Sequence, residues 1–144
     1  MIGLKSGMTV AHFEAAEIAR EFARAEFRFH QVVPPRRSFE LRVFLGEPDA
    51  TATTSTSGNP HYIGSEFFYG VGPGGASPEE NNDSRDPQQF ASIELRLNVT
   101  DRLRRLLAIH PVGVLPLSLV AVDRRGGEIE DPGLSFESVS IVTS

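Results

Sequence analysis

From Phe39 onward the chain repeats with a period of two. Phe39, Leu41, Val43 and Leu45 point one way and Glu40 and Arg42 the other, which predicts a half-buried strand closed by Gly46 and Pro48. Residues 50–58 are rich in Thr, Ser and Ala and read as an exposed loop. Residues 61–69 are aromatic-rich and strand-like. Residues 70–87 carry four glycines, three prolines and the run Glu79-Glu80-Asn81-Asn82-Asp83, and read as a long loop. The clearest alternation sets Ala91, Ile93, Leu95, Leu97 and Val99 against Ser92, Glu94, Arg96 and Asn98. Thr100 then reads as the cap of a short helix over 101–108, with Leu103, Leu106 and Leu107 on one face. Residues 114–122 are nearly all apolar, the mark of a central strand covered on both faces. Arg124-Arg125-Gly126-Gly127 is a turn. Residues 134–142 form a last strand whose inward parity changes near Ser138, as a bulge would cause.

The N-terminal part has a different period. Ile18, Phe22, Ala25 and Phe29 recur at helical spacing with Ala, Glu and Arg between them, which predicts a helix over 11–25 capped by Thr9. Its end is ambiguous. Phe27, Phe29 and Gln31 also alternate, so residues 27–33 read equally as a strand that stops at Pro34-Pro35.

Several short strands separated by turn signals, with two short helices and no internal repeat, point to a mainly β fold. The expectation is an antiparallel β-sandwich of about six to eight strands with an N-terminal helix and one short internal helix. It divides into an N-terminal helical segment, 1–26, and a β-sandwich domain, 27–144. The expected core includes Phe39, Leu41, Val43, Ile93, Leu95, Leu97, Leu117 and Leu119. The apolar stripe of the N-terminal helix needs a cover, either the sandwich or a second copy of the chain.

Composition narrows the function. A chain of 144 residues that is 40% hydrophobic and 23% charged can bury a core. Its net charge of -5 provides no general attraction to nucleic acid or anionic lipid. No apolar run approaches the roughly 20 residues of a membrane helix. There is no cysteine, which removes disulfides, thiolate metal sites and cysteine nucleophiles. The residues from Met1 to Glu17 lack the apolar stretch of a signal peptide, so a cytoplasmic location is expected.

The motifs that carry chemistry elsewhere are incomplete here. Gly70-Val71-Gly72-Pro73-Gly74-Gly75 contains GxGxxG but lacks the following helix that a nucleotide site needs, and Glu79 and Glu80 would repel phosphate. The four histidines, His12, His30, His61 and His110, include no pair at helical metal-site spacing. The acidic run 79–83 lacks the spacing of a calcium loop. Ser65 follows Gly64 without a nucleophile elbow. Nothing in the pattern points to a catalytic residue, a metal or a cofactor.

One resemblance does emerge from the order of the strands. Ser38-Phe39-Glu40-Leu41-Arg42-Val43-Phe44-Leu45-Gly46-Glu47-Pro48 is followed by Asn59-Pro60-His61-Tyr62-Ile63-Gly64-Ser65-Glu66-Phe67-Phe68-Tyr69-Gly70. Then come Ile93-Glu94-Leu95-Arg96-Leu97-Asn98-Val99-Thr100-Asp101, a Leu-rich helix and the apolar strand over 115–122. This series resembles the C-terminal β-domain of tyrosinases, polyphenol oxidases and molluscan haemocyanins, the type-3 copper family, across roughly 27–142. In that family the copper is held by histidines of a separate helical domain, which has no counterpart here. The resemblance implies an accessory domain that covers or stabilises a copper site carried by another domain or subunit. It makes Phe67, Phe68 and Tyr69 the candidate cap residues, with a copper oxidase as the partner. The alternative is a stand-alone ligand- or carbohydrate-binding β-sandwich, with an aromatic shelf beside carboxylates and amides.

Overall fold

The computed structural model describes residues 1–18, 21–70 and 93–144. Strands come in the order β1 (Ile2–Gly3), β2 (Met8–Glu14), β3 (Ala25–Val32), β4 (Phe39–Leu45), β5 (Tyr62–Phe68) and β6 (Ile93–Asn98). Helix α1 (Thr100–Ile109) precedes β7 (Val114–Val122), β8 (Ser135–Phe136) and β9 (Ser138–Thr143). All pairings are antiparallel. They make a four-stranded sheet ordered β2-β7-β4-β5, a three-stranded sheet ordered β6-β3-β9, and the short pair β1-β8. The fold is therefore mainly β, as expected.

Alternation assigns the faces. On β4 and β7, Phe39, Leu41, Val43, Leu45, Leu115, Leu117, Leu119 and Ala121 enter the main core. They share it with Phe27 and Phe29 of β3, Leu97 of β6, Phe136 of β8 and Leu103, Leu106 and Leu107 of α1. Phe13 on β2 meets Phe27 edge-on at 5.7 Å, and Phe29 meets Phe136 edge-on at 5.4 Å.

The other face of β4 and β7 carries Phe44, Val120 and Val122, all buried, in a second small cluster with Ala50. These apolar groups need a cover, and the chain between β4 and β5 provides it. Arg42 donates to the Ala52 carbonyl at 3.2 Å, and the Ala52 amide donates to Glu128 at 2.8 Å. The Asn59 amide group donates to both Glu47 and Ser55 at 2.9 Å. The expected exposed loop over 50–58 is thus in part a strap, with Ala50 buried beneath it.

The expected helix over 11–25 is absent from the described residues. Met8–Glu14 is β2, Ala15–Glu17 is a single 3-10 turn, and Ala25 already begins β3. Helix propensity in the Ala- and Glu-rich stretch loses to the free edge of β7, whose backbone groups need a partner along Met8↔Leu119 to Glu14↔Val114. Thr9 is no helix cap; its hydroxyl lies 3.3 Å from that of Ser118. Ile18, Ala25 and Phe29 are buried all the same, in the main core of the chain. The alternative reading of 27–33 as a strand matches β3.

Three smaller expectations are also corrected. Thr100 begins α1 and does not cap it by its side chain. Its hydroxyl instead accepts the Ala25 amide at 3.0 Å, tying the helix to β3. Ile93 is 48% exposed, outside the expected core. It lies on the outermost strand of its sheet, past a register shift between Phe29 and Val32 where Gln31 adopts φ 52°. The parity change near Ser138 is a break between β8 and β9, where the Glu137 amide bonds to the His30 carbonyl. No helix among the described residues is long and apolar enough to cross a membrane.

Two contacts yield predictions. Gly46 turns the chain out of β4 at φ +85°, and an added Cβ would lie 2.9 Å from His61 Nδ1. That nitrogen is 2.9 Å from the Leu45 carbonyl, a bond it can make only as donor. Gly46→Ala is expected to cost roughly 1–3 kcal/mol, read as a lower urea midpoint with an unchanged slope. Glu26 is buried on β3, with Arg28 at 2.7 Å. The Arg28 hydrogen bond outweighs desolvation and holds the carboxyl below the usual glutamate range. Its contribution is therefore present above the ordinary pKa and lost as pH falls through the lowered one. The melting difference between the native chain and Glu26→Gln should be full at neutral pH and shrink below about pH 4.

Candidate functional site

Strand β5 is the outer strand of the four-stranded sheet, and its last turn of alternation separates the three candidate aromatics. Phe68 faces the core. It is 8% exposed and stacks on Phe39 at 5.3 Å with an interplanar angle of 19°. A residue that points inward sends its neighbours outward. Phe67 is accordingly 58% exposed and Tyr69 82% exposed. Phe67 is opposite Glu40 on β4, and Glu40 accepts from Arg42 at 3.0 Å. The end of the strand is fixed by the Gly70 amide, which donates to the Ser38 hydroxyl at 2.9 Å. The backbone of Arg37 lies so close to Gly70 that no side chain fits there. The exposed rings thus stand on an anchored stretch of backbone.

A second exposed apolar area lies at the other end of the same sheet. Ile109, Val112 and Val114 are 56%, 71% and 53% exposed around the connection from α1 to β7. Glu40, beside Phe67, is in register with Val122, so the two areas are about 25 Å apart along β7. Sequence reading missed this second area. Its signal was the run of Ile109, Val112 and Val114 across the Pro- and Gly-containing connection, which outlasts the helix.

Beside it is a groove of about 520 Å³ between α1 and the chain around Tyr62, lined by Asn59, Tyr62, Arg102 and Arg105 among others. Most of its polar groups are engaged within the chain. Arg102 stacks over the Tyr62 ring at 4.9 Å and donates to the Tyr62 carbonyl at 3.3 Å. The Asn59 oxygen accepts the His61 amide at 3.0 Å, and its nitrogen serves Glu47 and Ser55. Arg102 thus covers one face of the Tyr62 ring, and the Asn59 amide beside it is already engaged.

The histidines fall in three places. His12 is on β2 and His30 on β3, where its Nε2 lies 2.9 Å from the Ser140 hydroxyl. The rings of His61 and His110 come within 5.1 Å of each other. Among the described residues no third ligand joins them, and no group of three or more His, Asp or Glu could hold a metal ion. This donor set does not fit a copper pair. Ser65 lies on β5 opposite Arg42, in the middle of the ladder. The glycine run beyond Gly70 and the acidic run 79–83 lie outside the described residues.

No family model matches the chain, and no curated protein does. Solved structures do. The chain superposes on recombinantly expressed latent aurone synthase (polyphenol oxidase) with a TM-score of 0.54 at 10% identity, covering 99% of this chain and 26% of that one. Latent aurone synthase from its natural source gives a TM-score of 0.54, also at 10% identity, with 99% and 25% covered. The form co-crystallised with hexatungstotellurate(VI) gives 0.52 at 10% identity over the same shares. The chain spans about a quarter of the length of these structures. At this identity the likeness is one of fold, shared with a quarter-length portion of a polyphenol oxidase.

Proposed function

We propose that this chain is a non-catalytic β-sandwich that covers a type-3 copper site carried by another domain or subunit. Support for the sandwich comes from the shared core, where Phe13 meets Phe27 and the Gly64 backbone approaches Leu97 between the two larger sheets. Support for the cover comes from the fold of a latent polyphenol oxidase and from the composition of the β5 end. The observation that carries the reading is the pair Phe67 and Tyr69, exposed at the end of a strand that buries Phe68. Large exposed rings on an anchored strand favour a partner surface, because in a free domain they cost solubility and contribute nothing to the core. An aromatic ring is also the group that would occupy a pocket shaped for a phenol. The alternative, a ligand-binding sandwich, draws less support, since the groove at Tyr62 uses most of its polar groups internally.

The test uses a polyphenol oxidase from which the matching quarter has been removed, mixed with this chain, with diphenol turnover and melting read together. The native chain should lower turnover. Phe67→Ala or Tyr69→Ala should weaken that inhibition by about tenfold with melting nearly unchanged. Phe68→Ala should instead cost roughly 3–5 kcal/mol of stability. Inhibition insensitive to both exposed rings would sink the reading. The chain alone is expected to bind no copper stoichiometrically and to oxidise no diphenol. A tightly held copper pair with turnover, in a titration of the purified protein, would contradict the non-catalytic role.

A further inference from the structure

The three-stranded sheet ends on β9, whose only neighbour among the described strands is β3. Arg24 and Ser144 exchange both backbone hydrogen bonds, at 3.2 and 2.9 Å. Such pairs alternate along an antiparallel ladder, so Glu26↔Val142 and Arg28↔Ser140 are the next bonded pairs. The amides and carbonyls of Val139, Ile141 and Thr143 therefore point away from β3, and among the described residues nothing pairs with them.

Folded sheets usually blunt a free edge with charge, proline or a bulge. The other outer strands of the two larger sheets do so. β2 has a register shift between Thr9 and Ala11 and carries Glu14, β5 carries Glu66, and β6 carries Glu94 and Arg96. β9, Ser-Val-Ser-Ile-Val-Thr, has no charge and no proline, and four of its six residues are β-branched. Beside it is a groove of about 420 Å³ against β2 and the 3-10 turn. Phe13, Ile18, Val139 and Ile141 give it apolar walls. Glu14 and Glu17 line it too, beside the single imidazole of His12; both carboxylates are exposed, and neither has an ion-pair partner among the described residues.

We propose that the β9 edge takes an extended strand from a partner protein, a segment that combines apolar residues with lysine or arginine. The free amides and carbonyls of β9 bind its backbone, the apolar walls accept alternate side chains, and Glu14 and Glu17 select the basic ones. A second copy of β9 fits less well. It brings no positive charge, and its own Glu14 and Glu17 would approach the same groove. The site is on the β2 side of the molecule, at the opposite edge of the four-stranded sheet from β5, so it stands or falls independently of the copper-site cover.

The probes are labelled synthetic peptides that alternate valine with lysine, and valine with glutamate, titrated into the full chain and followed by fluorescence anisotropy and amide chemical shifts. The lysine peptide should bind, with shifts along β9 and β2, and the glutamate peptide should bind at least about tenfold more weakly. Reversing both groove charges, Glu14→Lys with Glu17→Lys, should invert that preference. Reversing two distant charges, Glu66→Lys with Asp101→Lys, should not. Thr143→Pro removes an outward amide while leaving the β3 ladder intact, so it should weaken binding without lowering the melting temperature. Equal binding of both peptides, shifts away from β9, or a preference that follows the distant charges as well would overturn the proposal. So would a dimer in sedimentation with shifts at β9, which would assign the edge to a second copy.

Discussion

A strand that is apolar on both faces has to be covered on both, and β7 imposes that requirement on the whole molecule. Val114–Val122 is central in its sheet, between β2 and β4. Leu115, Leu117, Leu119 and Ala121 close the main core, while Val120 and Val122 face the other way into a cluster of their own. The inward set is met by β3, β6, β8 and α1. The outward set is met by the strap between β4 and β5, held by Arg42, Glu128 and Asn59. Even the N-terminal segment is drawn into this arrangement, because the remaining edge of β7 needs a partner and β2 supplies one.

With the centre committed to packing, the two proposed surfaces lie at the margins. At one edge, register alone decides which aromatic is available: stacking Phe68 on Phe39 turns Phe67 and Tyr69 outward. At the edge of the other sheet, β9 is the outer strand, and among the described residues its outward backbone groups have no partner beside a partly acidic groove. The two surfaces would recognise by different means. Exposed rings act by filling a pocket, whereas a free strand edge acts by backbone hydrogen bonding and tolerates more sequence variation in its partner.

The sequence by itself determined the strands whose alternation is strong. β4, β5, β6 and β7 are near their predicted places, as is the Leu-rich helix, because period-two and helical patterns follow directly from backbone geometry. In a strand over 61–69, Phe68 necessarily faces away from Phe67 and Tyr69, but which side is buried is not written in the alternation. Tertiary structure decided the rest. Residues 8–14 pair with β7 because a free central edge outweighs the modest helix propensity of Ala and Glu. Ile93 turns out to solvent because it lies on an outer strand past a shift in register, which no local pattern encodes. The strap, the patch at Ile109, Val112 and Val114, and the groove beside β9 each join segments far apart in the chain. Which faces meet there depends on strand order, and strand order is set by the packing of the whole fold.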